Sequence, residues 1–178
     1  MNYIKKYYKI MILIILIVII ALLFVFTKNN SKVLKCSIDK DLVNGIHLID
    51  NVKINLNKGK IKSIKQDKSV ELKDDYLKYE TYKNIMEMHL KSSYGYLDDK
   101  NYDVKITDDT VSVKANINTK GLILNNLVVE QSNKDNKYDL KINTENSFEN
   151  AERKIMIDEE YKYTALKKYM EESGYKCK

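Results

Sequence analysis

The sequence predicts an α+β protein: an N-terminal transmembrane helix, then one domain in which an antiparallel β-sheet, a meander plus a hairpin, packs against two helices. Three observations predict it. Residues 10–27 carry no charge, and fifteen of the eighteen are Ile, Leu, Val or Phe. Apolar-polar alternation recurs with period two between residues 34 and 72 and again between 102 and 118, broken by Asn-Gly, Lys-Gly and Asp-Asp turns. Two stretches carry apolar residues at helical spacing instead, before Gly95 and before Gly174.

As a helix the run over 10–27 would be roughly 27 Å long, close to the hydrocarbon thickness of a bilayer. Its apolar residues favour insertion by roughly 5 to 9 kcal/mol. Tyr3, Tyr7 and Tyr8 precede it, where aromatic rings suit the headgroup layer. No small-residue cleavage pattern closes the run at Phe24 to Lys28, so an uncleaved anchor is expected rather than a signal peptide. The division that follows is a basic cytoplasmic tail at 1–9, the transmembrane helix at 10–27, a linker at 28–33 and an extracytoplasmic α+β domain at 34–178. Flanking lysines are balanced on the two sides, so charge alone does not orient the helix.

Orientation rests on Cys36 and Cys177, the chain's two cysteines. At opposite ends of one domain they read as a disulfide, and disulfides belong to oxidising compartments. The expected location is therefore the cell membrane, single-pass, with the N-terminus cytoplasmic and the domain extracellular. Neither cysteine sits in a C-x-x-C pair, which argues against a metal role. Lys35 immediately before Cys36 spoils a lipobox, so lipidation is not expected.

The net charge of +6 suggests nucleic acid only until it is apportioned. Lys5, Lys6, Lys9 and Lys28 flank the apolar run, leaving twenty-seven basic against twenty-five acidic residues elsewhere. Both signs are interspersed and no basic stripe is visible along the sequence, so nucleic acid is not an expected partner.

Along the domain, Leu34, Cys36 and Ile38 predict a first strand over 34–40, and Asn44-Gly45 a tight hairpin turn. Ile46, Leu48, Val52, Ile54 and Leu56 share one face of a second strand, interrupted only by Asp50. After Asn57-Lys58-Gly59, a third strand runs over 60–72, and a bulge near Ser63 reconciles Ile61 with Ile64, Val70 and Leu72. Asp74 and Asp75 can cap a helix from Tyr76, with Leu77, Thr81, Ile85 and Met88 as its buried stripe and Tyr82 and His89 at the margin. The hairpin pairs 102–107, with Val104 and Ile106 inward, to 110–118. Residues 122–129 fit a strand or a short helix, 132–136 a turn, and Tyr138, Leu140 and Ile142 a strand. Asn146 and Glu149 suggest a brief capped turn. Asp158 is the expected N-cap of a final helix with Glu159 and Glu160 in its first turn, Tyr163, Leu166 and Met170 buried, and Gly174 past its end.

The apolar N-terminus, Leu34-Lys35-Cys36 opening the domain, the Lys58-Gly59-Lys60 turn of the meander, the helix after it and the closing Gly174-Tyr175-Lys176-Cys177-Lys178 resemble the YehR-like family of small bacterial envelope lipoproteins of unknown function. The resemblance implies an envelope location and this fold, here as a membrane-anchored relative. It implies no catalytic activity.

The inventory of chemistry is short. His47 and His89 form neither a zinc motif nor a triad. Ser37 to Lys40 matches S-x-x-K without the partner motifs of a penicillin-binding fold. Asp99, Asn101 and Asp103 take the first, third and fifth places of a calcium loop that lacks its glycine and its final glutamate. The expectation is thus no catalytic, metal or cofactor site. The expected role is non-catalytic, binding or envelope assembly with an unknown envelope protein or peptide, in an undetermined oligomeric state. The alternative is a ligand- or peptide-binding sensor using the sheet face or edge, with a hydrolase third.

Overall fold

The computed structural model describes residues 2–28, 31–43, 45–73, 80–124, 127–134, 137–143 and 148–178. It is α+β. Helix α1 (Asn2–Lys28) is followed by β1 (Ser31–Val43), β2 (Ile46–Asn57), β3 (Lys60–Leu72) and α2 (Glu80–Tyr94). Then come β4 (Tyr102–Ile106), β5 (Thr110–Ile117), β6 (Gly121–Ile123), β7 (Val128–Lys134), β8 (Lys137–Asn143), β9 (Lys154–Met156), α3 (Tyr163–Glu172) and β10 (Lys176–Cys177). Six strands form an antiparallel sheet in the order β10-β1-β2-β3-β5-β4, so the meander and the hairpin join in one sheet. Two small hairpin-like pairs, β6 with β9 and β7 with β8, stand outside it.

The alternation of the sequence divides this sheet cleanly. Leu34, Ile54, Ile64 and Ile117 are directly opposite one another across four strands, as are Leu48, Val70 and Val111. All of them are buried, and they share one core with Met86, Leu90 and Tyr94 of α2 and with Leu166 and Met170 of α3. Both helices therefore cover the same face. The two-residue turn Lys58-Gly59 has positive φ at both positions, +51° and +80°, the backbone that matches the twist of a tight hairpin. The bulge lies where the sequence places it: Asn55 pairs with Ser63 but Leu56 with Ile61, and the extra residue lets Ile61 and Ile64 both point inward.

Several expectations are corrected. The first strand is longer than 34–40, beginning at Ser31 and reaching Val43. In α2 the buried stripe is Met86, Leu90 and Tyr94, spaced by four, and Met88 is 63% exposed. Tyr94 captures the phase because its ring and hydroxyl both find partners in the core. The predicted cap at Asp74 and Asp75, and Leu77, lie outside the described residues. Ile106 is 42% exposed because β4 is the sheet's edge. Residues 132–134 belong to β7 rather than to a turn, and Asn146 lies outside the described residues. Asp158 does not cap the last helix, which starts at Tyr163 after Lys162. It adopts φ +63°, donates its amide to Ile61 O at 2.9 Å and accepts from Lys62 Nζ at 2.6 Å. With Tyr161 N donating to Gly59 O at 2.8 Å, the acidic segment is docked along the β2–β3 turn. Gly174 ends α3 as expected, at φ +90°, with Tyr175 N donating back to Met170 O.

Residues 10–27 are helical within α1. Among the described residues, however, no helix is long and apolar enough to cross a membrane.

Candidate functional site

Opposite faces of the main sheet carry two polar constellations, one sealed and one open. The sealed one starts from Asp50, which interrupts the apolar face of β2 and is 1% exposed. A lone carboxylate in such a core would be strongly unfavourable. β3 supplies its partners at the same inward positions: Gln66 Nε2 donates to both Asp50 oxygens at 2.9 Å, and Lys68 Nζ, on a residue 2% exposed, lies 3.4 Å from Oδ2. Tyr175 donates its hydroxyl to Oδ2 at 2.8 Å, and Tyr94 donates to Gln66 Oε1 at 2.7 Å. Burial, and secondly the negative charge of Asp50, push both tyrosine hydroxyls well above their ordinary range, so they remain donors. The cluster fastens β2, β3, the end of α2 and the segment after α3 to one point. Chemically it is a satisfied ionic network closed to water.

The disulfide lies beside it. Cys36 and Cys177 are directly opposite in the β1–β10 pair and are joined, so the pairing expected from the sequence is present. Lys178 N donates to Lys35 O at 2.9 Å, continuing that pair by one residue.

The open constellation is the other face of the same sheet. Because successive residues of a strand alternate between faces, the outward residues next to the buried rows are fixed by register. Lys178 faces Lys35, Lys35 pairs with Lys53, Lys53 with Lys65, and Lys65 with Asn116. Four lysines thus form a straight row across four strands. The neighbouring row reads Lys176, Ser37, Asn51, Asp67, Lys114 and Asp103. All of these but Asp103 line a shallow trough of about 720 Å³, in which six lysines face Asp39 and Asp67. Asp67 is engaged by Lys114 at 3.6 Å. Among the described residues no ion pair engages Lys35, Lys53, Lys65 or Lys178.

Further along the same face the sign reverses. His47 sits between Asp41 (Nδ1 to Oδ1, 2.9 Å) and Asp39 (Nε2 to Oδ1, 3.0 Å), and its pKa is raised chiefly by the Asp41 hydrogen bond. Asp41 is correspondingly lowered by His47.

The expectation that no basic stripe exists is therefore corrected. Lys35, Lys53, Lys65 and Lys178 are far apart in sequence, and antiparallel register gathers them. The hairpin turns alone do not give this row, because a one-residue register shift in each hairpin, between Asp41 and Val43 and between Asn55 and Leu56, is what brings Lys35 opposite Lys53 and Lys53 opposite Lys65. Asp50, Gln66 and Lys68 were legible, as three polar residues in phase with apolar ones on adjacent strands. The remaining candidates stay apart. Ser37 and Lys40 point to different faces of β1, His89 lies on α2 away from His47, and Asp103 pairs with Lys105 at 3.6 Å. Among the described residues, no group of acids, histidines and cysteines is arranged to hold a metal.

No protein-family model, no curated protein and no solved structure matches this chain.

Proposed function

We propose that the chain is a single-pass, membrane-anchored protein that presents its disulfide-closed α+β domain outside the cell and acts by binding rather than catalysis, as an envelope protein related to the YehR-like family. The observation that carries the binding role is the open sheet face: one side of the six-stranded sheet is covered by α2 and α3, whereas the trough on the other carries six lysines. Anchoring is supported by the uncharged run 10–27 and by the exposure of its side chains in α1, where Met11, Leu13, Ile15 and Ile17 are each more than half exposed. Apolar surface of that kind around a whole helix is stable in lipid and unfavourable in water. The Cys36–Cys177 bond supports an oxidising compartment.

A binding role over a hydrolytic one is supported by Asp50. It is the buried carboxylate among the described residues, and it is bonded on both oxygens and closed to solvent. A hydrolase working through paired carboxylates would need a second acid beside it in a cleft. The sensor reading draws on the β4 edge and its exposed Ile106.

The test joins topology with contact. Whole cells are treated with an impermeant maleimide, before and after an impermeant reductant, and a photo-crosslinking residue is placed at Asn51. The expected result is labelling only after reduction and a crosslinked adduct at Asn51. Thiols that label without reductant, or no labelling under either condition, overturn the location; an Asn51 probe that captures nothing overturns the binding face.

A further inference from the structure

We infer that the row Lys178–Lys35–Lys53–Lys65 is the binding site for a linear, aliphatic phosphodiester polymer, a polyol phosphate, laid across the strands of the open face. The inference rests on the proposed binding role and names the ligand class for that same face.

Four lines of observation converge on this ligand. Like charges directly opposite on neighbouring strands repel, so a sheet gains nothing for its own stability from three consecutive Lys–Lys pairs. Asp39 and Asp67 line the same trough, but among the described residues neither forms an ion pair with any of the four lysines. Strands lie about 4.8 Å apart, so the row sets one ammonium per strand along a line of about 14 Å, the arrangement that a chain of regularly repeated anions can follow. The adjoining outward residues Ser37, Asn51 and Asn116 offer donors and acceptors for hydroxyl groups between the phosphates.

Two other polyanions fit less well. The rows that line the trough hold no aromatic side chain, and single-stranded nucleic acids are held by stacking their bases on such rings. A bilayer presents a broad, flat sheet of headgroups, whereas the lysines line a trough of about 720 Å³ that a flat surface does not fill. The acidic end of the same face, with Asp39 and Asp41 around His47, repels a long anion running along the strands and so favours the crosswise direction.

The experiment uses the full chain in detergent and a fluorescent synthetic poly(glycerol phosphate), titrated at several salt concentrations. Neutralising four single-strand charges predicts a log K against log salt slope of about −3. In K53Q/K65Q the affinity is expected to fall at least about tenfold and the slope to roughly halve. The same variant is expected to melt at the wild-type temperature or slightly above, because repulsion is removed; K35Q alone gives an intermediate affinity and guards against a fault peculiar to the double variant. Oligo-dT, poly-glutamate and phosphatidylglycerol vesicles at matched charge are the comparison ligands, and weaker binding of all three is expected. Unchanged affinity in K53Q/K65Q, no binding of the polymer, or equal or tighter lysine-dependent binding of a comparison ligand each overturns the inference. An Asn51 crosslink to a protein without polymer binding leaves the binding face standing and removes this ligand, so the two failures are told apart.

Discussion

The Tyr175 hydroxyl donates to Asp50 Oδ2 at 2.8 Å, joining residues 125 positions apart at a carboxylate that is 1% exposed. Gln66 and Lys68 hold the same carboxylate from β3, so the bond from Tyr175 is what brings the segment after α3 into that network. Tyr175→Phe keeps the ring and removes the donor. It is expected to cost about 1–3 kcal/mol in urea unfolding, with a melting point several degrees lower. An unchanged midpoint would show that the hydroxyl is dispensable. Asp50→Ala is expected to cost more, about 3–5 kcal/mol, since it removes one partner of a buried ion pair and leaves the Gln66 and Tyr175 donors without their acceptor.

The disulfide acts on the same segment from the other side. Its loop spans 141 residues, for which chain entropy sets an upper figure of about 4–5 kcal/mol. Because Cys177 lies two residues beyond Tyr175, removal of the bond loosens the strand that delivers the hydroxyl. The Cys36→Ser/Cys177→Ser variant and Tyr175→Phe are therefore expected to be non-additive, with a coupling of about 0.5–3 kcal/mol in a double-mutant cycle. Strict additivity would separate the two fastenings.

Gly121 lies directly against the backbone of β9 in the smaller β6–β9 pair. A Cβ there would stand 1.9 Å from the Ile155 carbonyl oxygen, and backbone cannot rotate away as a side chain does. Gly121→Ala is expected to cost about 1–3 kcal/mol or more and to lower the yield of folded protein. A wild-type denaturation midpoint would contradict the close approach of β6 to β9.

His47 gives a pH dependence whose sign is fixed. Its hydrogen bond to Asp41 raises the folded pKa above the ordinary 6.5, so its contribution to stability is complete below 6.5 and is lost as pH rises through the raised value. Asp41, lowered from 3.8, contributes above 3.8 and loses its effect as pH falls through its depressed value. Melting temperature is expected to decline on the alkaline side of 6.5, and His47→Asn to flatten that decline. A profile identical to wild type in this variant would remove His47 as its source.

The meander was legible in residue order because Asn44-Gly45 and Lys58-Gly59 mark its turns, and the bulge at Ser63 followed from the phase of Ile61 against Ile64, whereas the register shift between Asp41 and Val43 leaves no such mark in the apolar pattern. The helices were harder. In α2, Met86, Leu90 and Tyr94 compete with Ile85 and Met88 for the buried stripe, and the decision falls to Tyr94, whose polar tip needs Gln66 on another strand. Asp158 looks like a cap in isolation, but Ile61 and Lys62, ninety-six residues earlier, hold it in a turn. The binding face illustrates the same limit. Each lysine is unremarkable where it stands in sequence, and the row exists only once cross-strand partners are known.

β1 pairs with β2 from Val43 and Ile46 onward and β2 with β3 from Asn57 and Lys60 onward, so the meander can assemble from contacts between neighbours soon after residue 72 is free. At that stage Asp50 has Gln66 and Lys68 but lacks the hydroxyl from position 175, and the core face has neither helix. Completion of the core therefore waits on the last segment described, and the partly formed sheet exposes its apolar side for as long as delivery of that segment takes. For a chain synthesised from its N-terminal end, this interval is when aggregation and mispairing threaten most, and it closes when Tyr175 docks and Cys177 comes opposite Cys36.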